Sequence, residues 1–313
     1  MKRLVDGIPG SERWTTMEAI PKGWSTDEKY RVETDDGQRL LVRISAISKY
    51  LRKKLEFDAL CRLNSLSILM SRPVDFGVFN GGANVYTITT WVDGADAESA
   101  LPKLSPDEQY GLGCLAGRIL RQIHQMPAPP DQPDWAERFN RKIDRNIGNY
   151  EACGIEVPGA RRAIRHIESL RHLLTGRPQV FQHGDYHCGN MVITDDGQLG
   201  VIDFNRIDYG DPWEEFNRIV WCVPVSAHFA SGRIDGYFEG ESRVSDEFFQ
   251  LMSLYVANNL LSSVPWAVPF GREQVDIMVK QAESVLGWYR GFETYVPDWY
   301  QAQRFVCGSQ GER

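Results

Sequence analysis

The segment that decides the fold covers residues 182–212 and reads QHGDYHCGNMVITDDGQLGVIDFNRIDYGDP. Asp185 precedes Asn190 by five residues, and Asn190 precedes Asp203 by thirteen. Between Asn190 and Asp203, the apolar runs MVI and LGVI flank the turn sequence TDDG, which predicts a β-hairpin. The hairpin would return Asn190 and Asp203 to the same end of a two-stranded unit. Asp185 would lie beside them on the preceding loop.

These three side chains suit a particular chemistry. One carboxylate can accept the proton of an attacking hydroxyl group. A carboxylate and an amide oxygen suit Mg²⁺, a hard ion that prefers oxygen ligands. The combination predicts phosphoryl transfer from a nucleotide. For Asp195 and Asp196 a structural role is favoured instead, because TDDGQ is turn chemistry and also occurs at residues 34–38.

The HGDxxxxN loop, followed by IDF and then GDP, resembles the aminoglycoside phosphotransferase family, whose members share the protein-kinase-like fold. The resemblance implies that Asp185 is the catalytic base, that Asn190 and Asp203 bind Mg²⁺, and that His183 braces the catalytic loop. It also implies ATP or GTP as the phosphate donor and a small-molecule hydroxyl as the acceptor.

The resemblance leaves the acceptor open. An aminoglycoside, and with it antibiotic resistance, is the first choice. The family also contains kinases of choline, homoserine, methylthioribose, fructosamine and macrolides. A non-catalytic, nucleotide-binding pseudokinase is the alternative from another functional class.

The predicted fold class is α+β, with the two lobes of a protein kinase. Residues 1–93 are predicted to form a nucleotide-binding lobe with a five-stranded antiparallel sheet and one helix, because strand-like runs alternate there with tight turns. Residues 94–313 are predicted to form a helical lobe that carries the catalytic loop and the acceptor-binding helices. Its first long helix should begin at Ser105, an N-cap that precedes Pro106.

Two further parts of the first lobe are expected to bind the nucleotide. The turn after the first strand stands where a kinase-like fold has its phosphate-covering loop, so Gly23, Ser25 and Thr26 would bind phosphate. The segment after the last strand of this lobe corresponds to the hinge that binds adenine in the family. By position, Thr90 and Val92 would supply the backbone groups.

Arg43 lies on the third strand, where the kinase template has a phosphate-binding lysine. It would hold the phosphates, and Glu56 on the following helix would steady it. The alternative for Glu56 is an exposed ion pair with Arg52 or Lys53. Apolar residues that recur every four positions predict the buried stripe of this helix: Leu51, Leu55, Ala59 and Leu63.

The segment that follows the catalytic loop is strongly acidic. Residues 208–247 contain nine acidic residues and three basic ones. An acidic wall beside the base would attract a cationic acceptor such as an amino sugar. The predicted acceptor contacts are Asp208, Glu214, Glu215 and Glu239. The alternative is that these charges are helix caps and solvated helix faces.

Composition narrows the remaining possibilities. The chain has 313 residues, 42% hydrophobic and 25% charged, which is ordinary globular composition. The net charge of −7 argues against nucleic acid and anionic membranes as partners. Six cysteines without a CxxC pair predict reduced thiols in a cytoplasmic protein. The sequence contains no run of 18 apolar residues, so no membrane-spanning helix is predicted. The sequence allows a monomer or a dimer.

Overall fold

The computed structural model describes residues 5–21 and 26–301. The chain divides into two compact units. The first unit comprises Met1–Ala95 and Met191–Ile207, and the second unit comprises Asp96–Asn190 and Asp208–Arg313. Along the described residues, no helix has both the length and the apolar character needed to cross a membrane.

The secondary structure follows the predicted alternation closely. The strands are β1 (Trp14–Ala19), β2 (Glu28–Thr34), β3 (Arg39–Ala46), β4 (Pro73–Phe79), β5 (Asn84–Thr90), β6 (Ala95–Asp96), β7 (Val180–Gln182), β8 (Met191–Ile193), β9 (Leu199–Val201) and β10 (Asp208–Gly210). The α-helices are α1 (Tyr50–Leu63), α2 (Ala97–Ala100), α3 (Pro106–Ile123), α4 (Trp135–Ala152), α5 (Ala160–Leu170), α6 (Ala227–Tyr237), α7 (Asp246–Ala267) and α8 (Arg272–Trp288). Short 3-10 helices lie at Ser11–Arg13, Ile47–Lys49, Asn80–Gly82, Leu101–Lys103, Arg171–Leu174, Cys188–Asn190 and Val268–Phe270, and a longer one lies at Pro212–Trp221.

The first unit contains an antiparallel sheet in the order β1-β2-β3-β5-β4. Leu40, Val42 and Ile44 of β3 are buried on one face of the sheet and belong to its apolar core. Successive side chains of a strand point to opposite faces, so Arg43 lies on the other face. There it pairs in register with Thr87 of β5. The alternation of side chains along β3 therefore places Arg43, the predicted phosphate ligand, on the face of the sheet opposite the apolar core.

The predicted boundary between the two parts differs from the observed one in one respect. The β8–β9 hairpin groups with the first unit, although residues 94–313 were predicted to form one lobe. The reason is a main-chain contact within the first unit. The Val201 N–H donates to the Leu69 carbonyl oxygen at 2.9 Å, and Val201 forms a parallel bridge with Met70.

The predicted stripe of helix α1 is wrong for its first half. Leu51 and Leu55 are 77% and 62% exposed, whereas Lys53 and Glu56 are buried. A four-residue spacing advances about 40° beyond a full turn at each step, because the α-helix has about 3.6 residues per turn. A stripe at this spacing drifts around the helix. A buried ion pair between Lys53 and Glu56 occupies the inward face instead.

In the second unit, helices α3 and α6 approach each other through glycines. Gly113 and Gly117 lie on α3, and Gly232 and Gly236 lie on α6. A Cβ atom added at any of the four would lie 2.1–2.3 Å from a carbonyl oxygen of the facing helix. Only glycine permits this backbone approach. The helix α6 itself was not predicted.

The start of α3 confirms the predicted N-cap. The Glu108 N–H donates to the Ser105 hydroxyl oxygen at 3.3 Å, and the Ser105 N–H donates to the Glu108 carboxylate at 2.8 Å. This reciprocal pair is a capping box, which satisfies two backbone donors at the helix start.

Candidate active site

The predicted catalytic loop begins where β7 ends and holds the predicted base and amide together. The Asn190 side-chain amide donates to the Asp185 carbonyl oxygen at 2.9 Å and to the Asp185 carboxylate at 3.2 Å. His183 is fully buried, and the Asp185 N–H donates to its Nδ1 at 3.2 Å. Asp185, Asn190 and His183 all lie in the second unit. The histidine therefore acts on the loop backbone, as a brace would.

Glu215 was predicted to contact the acceptor, and the structure corrects this. Its side chain is fully buried. The His183 and Gly184 N–H groups donate to its two carboxylate oxygens, each at 2.7 Å. Buried backbone N–H groups need acceptors, and Glu215 supplies two for this loop. Burial acts to raise the pKa of Glu215, but the hydrogen bond with His124 and neighbouring charge outweigh it, so the pKa is lowered.

Arg233 is a buried cation that the sequence interpretation missed. Its guanidinium donates to the carbonyl oxygens of Tyr186 and Glu215 at 2.8 and 3.0 Å. The guanidinium also lies 4.9 and 4.8 Å from the ring centroids of Tyr186 and Phe216. Arg233 follows Gly232, so the glycine contact of α6 positions the group that supports the loop. The GxxxG spacing of both helices was the available sequence signal.

A cation also lies beside the predicted base. The Nε atom of Arg218 lies 3.3 Å from an Asp185 carboxylate oxygen. This atom is buried and makes no hydrogen bond with the described residues, so the contact is an ion pair only. The Nε2 atom of His187 lies 3.7 Å from the other carboxylate oxygen, and the Gly189 N–H donates to its Nδ1 at 3.1 Å. No sequence pattern pointed to Arg218.

The other acidic residues of the 208–247 segment are largely paired within the second unit. The predicted acceptor contacts form the pairs Asp208–Arg138 at 3.2 Å, Glu214–Lys142 at 2.9 Å and Glu239–Arg118 at 3.5 Å. Asp211 caps Pro212–Trp221 and also binds Arg177 at 2.7 Å. These pairings therefore favour the alternative, in which the acidic residues are helix caps and members of ion pairs, over a continuous acidic wall.

In the first unit, Arg43 pairs with Asp203 and not with Glu56. Arg43 Nη2 donates to Asp203 Oδ1 at 2.6 Å. Glu56 instead accepts from Arg52 Nε and Lys53 Nζ, each at 2.9 Å. The predicted Arg43–Glu56 pair is therefore wrong, because both oxygens of Glu56 are taken by cations of its own helix. Arg43 Nη1 is buried and has no hydrogen-bond partner among the described residues.

These charged groups line a pocket that lies wholly within the first unit. Its lining residues are Leu41, Arg43, Lys53, Glu56, Phe57, Leu60, Ser71, Thr87, Thr89, Asp203, Phe204 and Asn205. The open volume is about 40 Å³, which is room for a few water molecules. A phosphate group fits such a space.

Asp27 is a buried acid next to the predicted phosphate-covering loop. Its carboxylate, 1% exposed, accepts from Lys49 Nζ at 2.8 Å and lies 2.7 Å from Lys53 Nζ. Burial acts to raise the pKa of Asp27, but the hydrogen bonds from both lysines outweigh it and hold this pKa well below its usual value. The Thr26 hydroxyl accepts from Lys49 at 2.6 Å. Gly23 and Ser25 lie outside the described residues.

Thr90, one of the two predicted hinge residues, is bound to the segment that precedes β4. The Thr90 N–H donates to the Arg72 carbonyl oxygen at 2.8 Å, and the Thr90 hydroxyl accepts from the Arg72 N–H at 2.8 Å. The Thr90 N–H is therefore committed to the first unit and cannot bind adenine in this arrangement. Val92 is buried two residues beyond.

Asn190 and Asp203, the predicted Mg²⁺ ligands, would both bind the ion through oxygen atoms. Within residues 5–21 and 26–301, no group of three or more His, Cys, Asp or Glu side chains could hold a metal ion. Asn190 and Asp203 belong to different units, so their shared role stays a prediction. Mg²⁺ is often bound through one or two carboxylates, with substrate phosphates and water as the remaining ligands. The residues present fit that mode.

Comparison with known proteins adds a sequence relationship. The family model described as "Phosphotransferase enzyme family" (APH) matches residues 16–246. A curated relative, the aminoglycoside 3'-phosphotransferase of Escherichia coli, is 24% identical over 169 residues. The match covers 52% of this chain and 62% of that relative, so it spans less than two thirds of the relative's length.

Solved structures share the fold at low sequence identity. A thermostable mutant of aminoglycoside phosphotransferase APH(4)-Ia, in ternary complex with AMP-PNP and hygromycin B, has a TM-score of 0.68 at 15% identity, over 93% of this chain and 98% of that one. Amicoumacin kinase hAmiN, in complex with AMP-PNP, Ca²⁺ and Ami, has a TM-score of 0.61 at 14% identity, over 91% and 90% of the two chains. These likenesses confirm the predicted α+β, kinase-like fold.

Proposed function

This chain belongs to the phosphotransferase enzyme family, and on that premise we propose that it transfers the terminal phosphate of a nucleoside triphosphate to a hydroxyl group of a small molecule. The observation that carries the proposal is the Asp185 carboxylate, which is held by the Asn190 amide in a loop of the family's sequence pattern. ATP and GTP are both candidate donors.

In the proposed mechanism Asp185 orients the acceptor hydroxyl and takes its proton. Asn190 fixes the Asp185 carboxylate through its amide N–H group. Glu215 and His183 hold the loop backbone, so the base is positioned before the acceptor binds. This preorganisation favours the reactive geometry without further ordering of the loop.

Mg²⁺ would be held by Asn190 and Asp203. The Asn190 amide nitrogen faces Asp185, which leaves its Oδ1 atom as an oxygen ligand. The Asp203 carboxylate is already placed beside a cation, Arg43. When bound, Mg²⁺ neutralises charge on the phosphate groups. The buried Nη1 atom of Arg43 has no partner among the described residues and is a donor for a phosphate oxygen.

The first acceptor class to test is an aminoglycoside-like amino sugar. Support comes from the names of the curated relative and of the APH(4)-Ia structure. A second class is favoured by Arg218, because a guanidinium beside the base suits an acceptor with an anionic group near its hydroxyl, as in homoserine. A cytoplasmic location is part of the proposal.

The test is release of the nucleoside diphosphate in the presence of Mg²⁺ and a panel of amino sugars, macrolides, hydroxy amino acids and amino alcohols. With an accepted substrate, Asp185→Asn should lower kcat about 100-fold or more, because general-base catalysis contributes about that factor. Nucleotide affinity should be retained. The control is Asp195→Asn, which removes an exposed turn carboxylate from the same segment and should keep wild-type turnover.

Two results would contradict the proposal. Full turnover by Asp185→Asn would refute the assignment of the base. Nucleotide binding without turnover on any acceptor of the panel would favour the non-catalytic alternative. Calorimetric titration of the wild-type protein with Mg·ATP and Mg·GTP separates binding from turnover and identifies the preferred donor.

A further inference from the structure

Lys53 is a cation buried inside the first unit. Its side chain is 8% exposed, whereas that of the adjacent Lys54 is 43% exposed and forms a surface pair with Asp58. An ammonium group is removed from water only at a large desolvation cost, unless charged partners compensate for it. Lys53 has two such partners, Asp27 at 2.7 Å and Glu56 at 2.9 Å.

The two carboxylates fix the position of this ammonium group. Asp27 precedes β2, and Glu56 lies one helical turn after Lys53 on α1. Asp27 is itself almost fully buried and is also bound by Lys49. Because both partners are held, the Lys53 Nζ atom has little freedom to leave the pocket wall.

The pocket presents N–H donors that its own carboxylates do not use. The Lys53 ammonium has three N–H donors, and its two carboxylate partners take two of them. Arg43 lines the same pocket, and its buried Nη1 atom has no hydrogen-bond partner among the described residues. Two cations with spare donors in a small space are the chemistry that binds the oxygens of a phosphate group.

We propose, on the premise of the phosphotransfer proposed above, that Lys53 binds a phosphate group of the nucleotide together with Arg43. The kinase template places a lysine for this task on the third strand. In this chain that position is Arg43, and the lysine stands on the helix that follows, ten residues later. Asp27 and Glu56 hold it in place.

In this proposal Arg43 and Lys53 bind phosphate differently, because the two cations differ in geometry. Arg43 offers a planar guanidinium, which can bind two oxygens at once. Lys53 offers a compact point charge with three donors. Asp203 engages one Arg43 nitrogen, so Lys53 supplies positive charge that does not depend on that ion pair.

The test is calorimetric titration of Lys53→Met with ATP, ADP, AMP and adenosine. Methionine keeps the chain length and removes the charge. Affinity for ATP and ADP should fall about tenfold or more, because a charge-assisted hydrogen bond is lost. Adenosine affinity should stay within about twofold of wild type. Lys53→Arg should recover most of the ATP affinity, because it restores the charge.

The matched control is Lys54→Met, which removes the neighbouring exposed lysine and should leave all four affinities unchanged. Lys53→Met leaves Asp27 and Glu56 without their shared cation, so the variant could fail to fold. The double variant Asp27→Asn/Lys53→Met removes one charge of each sign, and Glu56 keeps Arg52. A melting curve identifies which of the two variants is folded, and the titration is made on that variant.

Two outcomes overturn the inference while the proposed function survives. ATP binding equal to wild type in the folded variant shows that Lys53 makes only an internal ion pair. Equal losses for ATP and adenosine show that Lys53 acts on the fold and not on phosphate. If the wild-type protein binds no nucleotide at all, the proposed function fails, and this inference fails with it.

Discussion

The glycine contact between α3 and α6 can be tested directly by mutation. We predict that Gly232→Ala destabilises the second unit. The added Cβ atom would lie 2.2 Å from the Tyr110 carbonyl oxygen and 3.0 Å from the Cys114 backbone nitrogen. Both neighbours are backbone atoms of α3, so no flexible side chain can move aside.

The size of the effect follows from that distance. An ordinary van der Waals contact requires about 3.4 Å, so α3 and α6 would have to separate by about 1 Å. Separation also weakens the packing along Gly113 and Gly236, which depend on the same approach. Inserting one methyl group into a well-packed interior destabilises by about 1–3 kcal/mol. We expect the upper end of that range, about 3 kcal/mol, because the obstruction is rigid.

The assay is thermal unfolding followed by circular dichroism, with Gly111→Ala as the matched control. Gly111 lies on the exposed side of α3, with no other atom within 4 Å of its added Cβ atom. Alanine in a helix interior is favoured over glycine by about 1 kcal/mol, so the control should raise the melting temperature. Gly232→Ala should lower it by about 6–12 °C.

The two variants are expected to shift the melting temperature in opposite directions. If Gly232→Ala is as stable as wild type, α3 and α6 are not in backbone contact. Phosphotransfer gives a second readout, because the neighbouring Arg233 supports the catalytic loop. At a temperature where the variant stays folded, we expect kcat to fall while the affinity for nucleotide is retained. Unchanged kcat in a destabilised variant would separate the helix contact from the loop.

Three further predictions concern single side chains. Burial lowers the pKa of His166 to about 4, so the free energy of unfolding should fall by about 3 kcal/mol as pH drops from 6.5 to 4. His166→Leu should make the free energy of unfolding, measured with urea at a series of pH values, depend less on pH in this range. An unchanged dependence on pH would show that His166 is not the group responsible. Glu215→Gln should lower kcat at least about tenfold with nucleotide affinity kept, because one loop N–H loses its acceptor; equal kcat in steady-state assays would contradict the role of Glu215. Arg43→Lys should change the KM for ATP only modestly, since the charge remains, and a rise in activity would show that arginine is a compromise at this position.

The local features of the fold were predictable because their causes are local. Turn chemistry at TDDG predicted the β8–β9 hairpin, which the structure contains. The Ser105 cap and Pro106 predicted the start of α3. Such signals act over a few residues, so they do not depend on tertiary packing.

The elements that were missed depend on tertiary contacts. Helix α6 contains Gly232 and Gly236, and glycine disfavours an isolated helix by about 1 kcal/mol per residue. Its stability comes from packing against α3, which the sequence of α6 alone does not reveal. The segment after Asp211 forms a 3-10 helix at Pro212–Trp221. Glu215, which accepts hydrogen bonds from the loop N–H groups, lies within this 3-10 helix.

Charged residues were the least predictable part of the candidate site. A charge in a sequence usually indicates exposure, so Lys53 and Glu215 were not expected to be buried. Their burial depends on partners that are distant in the chain, such as Asp27 for Lys53 and the loop N–H groups for Glu215. The spacing of residues along the sequence does not indicate such a distant partner. The pairing of Arg43 with Asp203 was missed for the same reason.

The Arg43–Asp203 pair bears directly on how the nucleotide would bind. Asp203 cannot give the same oxygen fully to Mg²⁺ and to Arg43, because both require its lone pairs at close range. If Mg²⁺ is held by Oδ1 and not by the second carboxylate oxygen, it would compete with Arg43 for Oδ1, weaken the 2.6 Å contact and free a second Arg43 nitrogen for phosphate. Metal and phosphate would then bind cooperatively. Their coupling can be measured as the change in ATP affinity with added Mg²⁺, and Arg43→Met should reduce that change.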